Sequence, residues 1–338
     1  IAIFDSSLRH THELFNYMDP DIAKVNEDGT VTVAREYQDS FKTKENLLAT
    51  ITANESTLNL FDSGWGNWFH QRPTDQQGFS KEVQARIKNG EFYHNLKVPF
   101  AVDYMDGDLE VWDENSSSHG THVAGITAGN PGPFDENEPI SMDNVNGVLG
   151  GAYDSQILFF KVFSESDDFG QEGDEAVFAA LDDAVTLGVN GFNLSLGIRA
   201  GFTTANTYAQ AGYQKAYNRA AAAGISIAVS AGNDARSNRE NGLFNSRSTL
   251  EPNSKAVGFS GSLFGPMTVA SAQGTGYITY GAMTTMTLTN GDSQPITGVE
   301  PIAILDRNQT LMGTSLPDSY EVIDCGAGTE AEILAATG

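Results

Sequence analysis

Cysteine is almost absent: Cys325 is the only one in 338 residues. A lone thiol forbids an intrachain disulfide and any zinc site built from cysteines. Long apolar runs are missing too. No stretch approaches the roughly 18 residues needed to cross a bilayer as a helix, which excludes a membrane-spanning helix. Basic residues are scarce, 19 Lys and Arg against 44 Asp and Glu, for a formal charge of −25. A field of that sign repels phosphate backbones, so nucleic acid is not an expected partner. The acidic, lysine-poor composition suits a secreted protein, in salty surroundings for example, although acidic cytosolic enzymes share it.

What is present is core-forming material. Hydrophobic residues make up 40% and aromatics 10%, which rules out wholesale disorder, and the length fits one large or two modest domains. The chain opens on the strand-like Ile1-Ala2-Ile3-Phe4 with no signal peptide, which reads as a mature or trimmed N-terminus. The first hundred residues are irregular, with a helix expected near Lys44–Thr52, an aromatic segment around Trp65 and Trp68, and a strand at Lys97–Tyr104. From His119 the rhythm is regular. Helices are expected at Thr121–Ala128, Asp174–Leu187 and Ala209–Ala223, and strands at Ile157–Val162, Gly191–Leu196 and Ile225–Val229. Strands alternating with helices argue for right-handed βαβ units and a parallel sheet flanked by helices. After about Ala272, Thr, Val, Ile and Gly dominate and no long helix appears, so 1–272 and 273–338 read as separate domains, the second β-rich.

Four segments could carry chemistry. In Ser118-His119-Gly120-Thr121-His122 an imidazole stands at a helix start pressed close to neighbouring backbone. Taken locally, His119 and His122 could also be helix caps or share a metal, though no third ligand follows at recognisable spacing. Asp5 ends an apolar strand, Asn233 follows another in Ser230-Ala231-Gly232-Asn233, and Asn193-Leu194-Ser195-Leu196-Gly197 closes on a glycine that lets backbone approach a ligand. In open α/β sheets ligand groups gather at the carboxyl ends of the strands.

Taken together and in this order, Ile1–Ser7, His119–Gly125, Asn193–Gly197 and Ser230–Asp234 resemble the motifs of the subtilisin-like serine proteases, most of all the large cell-envelope proteinases of the C5a-peptidase and lactocepin type. The resemblance implies a subtilisin-like three-layer α/β fold over 1–272, with an insertion at about 20–100 that forms an extra surface subdomain or substrate-binding lobe. It also implies the start of a protease-associated β-rich insert over 273–338. It assigns Asp5 as the triad acid, His119 as the general base and Asn233 as the oxyanion donor. Ser195, Leu196 and Gly197 become the backbone rim that pairs with an extended peptide or protein substrate, and His12 a structural histidine. It further implies an extracellular, secreted or surface-anchored enzyme with no certain cofactor, a structural calcium remaining open.

The chain departs from that pattern in places. Where the family commonly has Gly two residues after the acid, Ser7 stands here, which should distort the turn slightly and keep the carboxylate. Acid and base are 114 residues apart, longer than in a minimal subtilisin. Gly313-Thr314-Ser315-Leu316-Pro317 imitates the start of the nucleophile motif, 82 residues after Asn233, but an acidic, strand-like stretch follows instead of a small-residue helix. Ser315 therefore reads as a turn residue. The nucleophile is expected beyond Gly338, with the C-terminal remainder as partner and this segment alone inactive. A catalytically silent binding module or adhesin is the competing reading, and a histidine-based metal hydrolase a weaker one. Asp135–Glu138 and Asp103, Asp106 and Asp108 read as polar turns before cation sites. The glycine-rich 326–331 reads as a hairpin turn and short helix, since no ribose-binding acid follows.

Overall fold

A strand buried on both faces of a parallel sheet must be apolar along its whole length, and Ala2-Ile3-Phe4 meets that demand. The structure, a computed structural model, describes residues 1–61, 78–132, 149–163, 171–197, 207–232, 260–270, 282–286 and 302–306. The chain divides into two compact units, Ile1–Ala270 and Ser271–Gly338.

In the first unit the elements run β1 (Ala2–Asp5), β2 (Ala23–Val25), β3 (Val31–Val33), α1 (Lys44–Ala53), α2 (Lys81–Lys88), β4 (Phe100–Asp103), α3 (His119–Ala128), β5 (Leu158–Lys161), α4 (Gln171–Thr186), β6 (Gly191–Leu194), α5 (Thr207–Ala222), β7 (Ser226–Ser230) and β8 (Met267–Val269). Six strands form one sheet in the order β4-β5-β1-β6-β7-β8, every described pair parallel. β1 lies between β5 and β6, with Phe4 opposite both Phe160 and Leu194. The expected parallel α/β architecture is therefore the observed one. In the second unit β9 (Ala282–Met286) and β10 (Ile302–Asp306) pair antiparallel.

Side-chain alternation sorts the sheet into two packed faces. On one face Ile3, Ala101 and Phe159 meet Ala124 and Ala128 of α3. On the other Phe4, Val102, Phe160 and Phe192 meet the apolar sides of α4 and α5, including Leu181, Tyr213 and Tyr217. Phe4 stacks on Phe160 at 5.0 Å between ring centroids and meets Phe192 edge-on at 5.1 Å. Each ring buried in this way contributes on the order of 1.5–3 kcal/mol.

The stretch between β1 and β4 belongs in large part to the same core. Leu47 and Ile51 of α1, Ile87 of α2, and Leu58, Leu60 and Phe79 from the segments between them are contiguous with Phe4 and Phe160. α1 begins in a capping box, Thr43 Oγ1 accepting from Asn46 N and Asn46 Oδ1 from Thr43 N. The aromatic pair Trp65 and Trp68 lies outside the described residues.

Candidate active site

β1 ends in a carboxylate. Asp5 is completely buried, and its Oδ1 accepts from the Ser6 N–H at 2.8 Å and the Ser6 hydroxyl at 3.3 Å. His119 Nδ1 lies 2.6 Å from the same oxygen. The carboxylate requires a donor there, which puts the imidazole proton on Nδ1 and leaves Nε2 as the basic nitrogen. The His119 side chain is 54% exposed, so the ring has one edge in the protein and one in solvent. Its pKa is raised above the ordinary histidine value, first by the hydrogen bond to Asp5, with burial opposing and the carboxylate charge adding. Asp5 Oδ2 is buried with no hydrogen-bond partner among the described residues.

Gly120 explains how helix and strand come so close. A β-carbon there would collide with the Ser7 carbonyl oxygen and stand 2.9 Å from both the Ser7 nitrogen and the Phe159 ring. Only glycine lets the first turn of α3 rest on the chain leaving β1. Around this contact the two segments are sewn together. Gly120 N donates to Ser6 Oγ at 3.3 Å, Thr121 Oγ1 donates to the Ser7 carbonyl at 3.4 Å, and Arg9 N donates to Thr121 Oγ1 at 2.9 Å. The Ser7 hydroxyl, fully buried, donates to the Ser117 carbonyl.

The next strand over carries the second feature. Phe4↔Leu194 is the last register pair of β1 and β6, and Leu194↔Val229 pairs β6 with β7, so Asp5, Ser195 and Ser230 leave the sheet at one carboxyl edge. Asn193 Nδ2 donates to Ser195 Oγ at 3.2 Å. The Leu196 carbonyl accepts from Ser230 Oγ at 3.1 Å and from Ser260 Oγ at 3.3 Å, and Gly197 passes beside Ser260 with room for ordinary contact only. The structure thus joins Asp5 to His119 directly and puts Ser195, Leu196 and Gly197 at the same edge of the sheet. Asn233 and Ser315 lie outside the described residues, as do Asp135–Glu138 and the glycine-rich 326–331.

His12 accepts at Nδ1 from Leu14 N at 3.3 Å and caps a single helical turn, a structural task. His122 is exposed, and among the described residues no three His, Cys, Asp or Glu side chains cluster to hold a metal ion. The acidic turn at 103–108 already holds a cation of its own. Lys161 Nζ is 2.6 Å from Asp103 Oδ2 and 3.5 Å from Asp106 Oδ2, while Asp103 Oδ1 accepts from the Met105 and Asp106 N–H groups. Lys161 ends β5, directly beside Asp5 in register. Sequence reasoning missed it, although a lysine closing the buried run Leu158-Phe159-Phe160 is an available signal.

Known proteins resemble this chain over parts of their length. The PI-type proteinase of Lactococcus lactis subsp. cremoris is 32% identical over 206 residues, 60% of this chain and 10% of that protein. The C5a peptidase of Streptococcus pyogenes serotype M1 is 32% identical over 182 residues, 52% of this chain and 14% of that protein. Subtilisin DY of Bacillus licheniformis is 29% identical over 147 residues, 44% of each. The chain thus spans about a tenth of the length of the large proteinases it matches. Residues 1–297 match the subtilase family, peptidase family S8, and the chain belongs to that family.

Proposed function

We propose that the protein is a serine endopeptidase of the subtilisin type, acting outside the cell on extended peptide segments. Asp5 is the orienting acid, His119 the general base and Asn233 the oxyanion donor, and the nucleophilic serine is supplied from sequence beyond Gly338. The observation that carries this reading is the 2.6 Å approach of His119 Nδ1 to the buried Asp5 Oδ1. A buried carboxylate holding one imidazole nitrogen leaves the other free to take a hydroxyl proton.

In the proposed cycle Nε2 of His119 accepts the serine proton as the oxygen attacks the scissile carbonyl. The oxyanion is met by the Asn233 amide, a contact of a kind worth about 10²–10³ in turnover. The protonated ring then gives its proton to the departing amine. Water, deprotonated by the same nitrogen, hydrolyses the acyl-enzyme and restores the serine hydroxyl. Ser195 and Gly197 would offer backbone groups to an added substrate strand, the Leu196 carbonyl being occupied by Ser230 and Ser260. The net charge of −25 fits the extracellular setting.

The test uses a fluorophosphonate probe and a casein substrate on two forms of the protein, 1–338 and a form continued past Gly338 through the downstream sequence. The longer form should label and cleave, and the shorter should do neither. Asp5→Asn in the longer form should lower turnover by about 10⁴-fold, because the amide cannot fix the basic tautomer. Labelling of Ser315 in the shorter form would overturn the assignment of the serine. A longer form that neither labels nor cleaves would leave a silent binding module as the function.

A further inference from the structure

We propose that Ser7 is a positioning residue for the acid–base pair: its hydroxyl, donated to the Ser117 carbonyl, holds the segment that delivers His119 against the turn that delivers Asp5. The proposal rests on the reading of Asp5 and His119 as that pair.

The geometry is reciprocal. Ser7 follows Asp5 by two residues and Ser117 precedes His119 by two, so the bond closes a bracket around the Asp5–His119 contact. Ser7 has no exposure to solvent, and a buried hydroxyl with a carbonyl partner is seldom exchanged for water. His119 is the first residue of α3, where a helix holds its own side chains least, and the Ser118 side chain makes no capping bond. The bonds described between Asp113 and Ser116 are internal to their turn. Of the side-chain bonds that join the β1 turn to the start of α3, those from Gly120 and Thr121 act at or beyond the histidine, at 3.3 and 3.4 Å. Ser7 secures the approach on the N-terminal side of His119, and Ser117, whose carbonyl it holds, in turn accepts the His119 N–H at its Oγ at 3.3 Å. A residue without a hydroxyl at position 7 cannot make this bond. An imidazole no longer held from both sides should spend less time on Asp5 Oδ1.

The experiment reads the imidazole itself and needs no catalytic serine. The chain is prepared with histidine labelled at Cε1, the His119 resonance is assigned from a His119→Gln sample, and its titration is followed by NMR in wild type, Ser7→Ala and Ser7→Gly. Thermal unfolding is recorded for each. In wild type the midpoint should lie above the ordinary histidine value, and in both variants it should fall by about half a pH unit or more, as the charged ring loses part of its hydrogen bond. Should Ser7→Ala fail to fold, Ser7→Gly carries the test, since it introduces no group that must be accommodated. Folded variants that retain the wild-type midpoint, whatever they lose in thermal stability, would reduce Ser7 to a structural residue and overturn the proposal. A wild-type midpoint at the ordinary value would instead remove the Asp5–His119 pair, and this proposal with it.

Discussion

Lys161 Nζ sits 2.6 Å from Asp103 Oδ2 at the carboxyl ends of adjacent strands, both side chains almost wholly buried. Burial pushes the Asp103 carboxyl above its ordinary range while the ammonium pulls it back. Lys161 stands beside Asp5 in register with Asp103 one strand further out, and the pair ties the 103–108 turn to the sheet. Lys161→Met should cost about 3–5 kcal/mol by stranding a buried carboxylate, and Lys161→Met combined with Asp103→Asn, which removes the charge but keeps an acceptor for the Met105 and Asp106 amides, should recover part of that loss. Urea unfolding of the four proteins of the cycle checks both statements.

Two glycines in α3 should respond in opposite ways. Gly120→Ala drives a methyl into the Ser7 backbone, with no flexible side chain to yield, and should destabilise by about 2 kcal/mol or more. Gly125→Ala meets only Leu14 Cδ1 at 3.5 Å and should be neutral or stabilising by up to about 1 kcal/mol through helix propensity. Thermal melts of the two variants side by side decide the matter.

His10 and His94 stack with ring centroids 3.8 Å apart, and Nε2 of His94 is buried with no hydrogen-bond partner among the described residues. Burial, and then the charge of His10, push His94 down to about 4; burial also lowers His10, with Glu110 opposing. A histidine whose folded value is depressed binds more protons when unfolded, so its neutral form stabilises at high pH. That stability is lost as pH falls from about 6.5 toward 4. His94→Phe keeps a ring in the stack and should flatten the dependence of the melting temperature on pH across that window. An undiminished slope would show that the acid sensitivity arises elsewhere.

Asp183 of α4 is an acceptor for four groups: Asn59 N and Asn59 Nδ2 at 2.8 and 3.0 Å, Leu60 N at 3.0 Å and the Tyr104 hydroxyl at 2.9 Å. Asp183→Ala should cost about 3 kcal/mol or more, because it strands buried donors on two other segments, whereas Tyr104→Phe should cost about 1 kcal/mol. Hydrogen exchange at the Leu60 amide should quicken in Asp183→Ala and stay slow in Tyr104→Phe.

Segments with a recognisable order along the chain were the legible ones. Asp5 after an apolar strand and His119 before a glycine are each weak signals alone and become specific only in order with Asn193–Gly197 and Ser230–Asp234, and the structure brings Asp5 and His119 together. The parallel sheet was legible from the alternation of strands with helices, and α1, expected at Lys44–Thr52, runs Lys44–Ala53. α2 went unseen because it is short and strongly polar, burying Ile87 and the polar Gln84 with Val83 packed partly against the core. β6 was drawn two residues too long: past Leu194 the chain abandons sheet pairing, and the Leu196 carbonyl turns to serine hydroxyls from two later segments. Lys161 with Asp103, and Asp183 with Asn59, were hidden for the same reason. A buried charge is explained only by a partner that the fold brings from 58 or 124 residues away, and no local window contains both.

The double anchoring of the Leu196 carbonyl has a bearing on how this edge could recognise anything. Fastened by Ser230 and Ser260, the Ser195–Gly197 ridge is a stiff rail. A guest strand laid along it would have little to freeze out on the host side, so bending of the rail itself would contribute little to discrimination among guests.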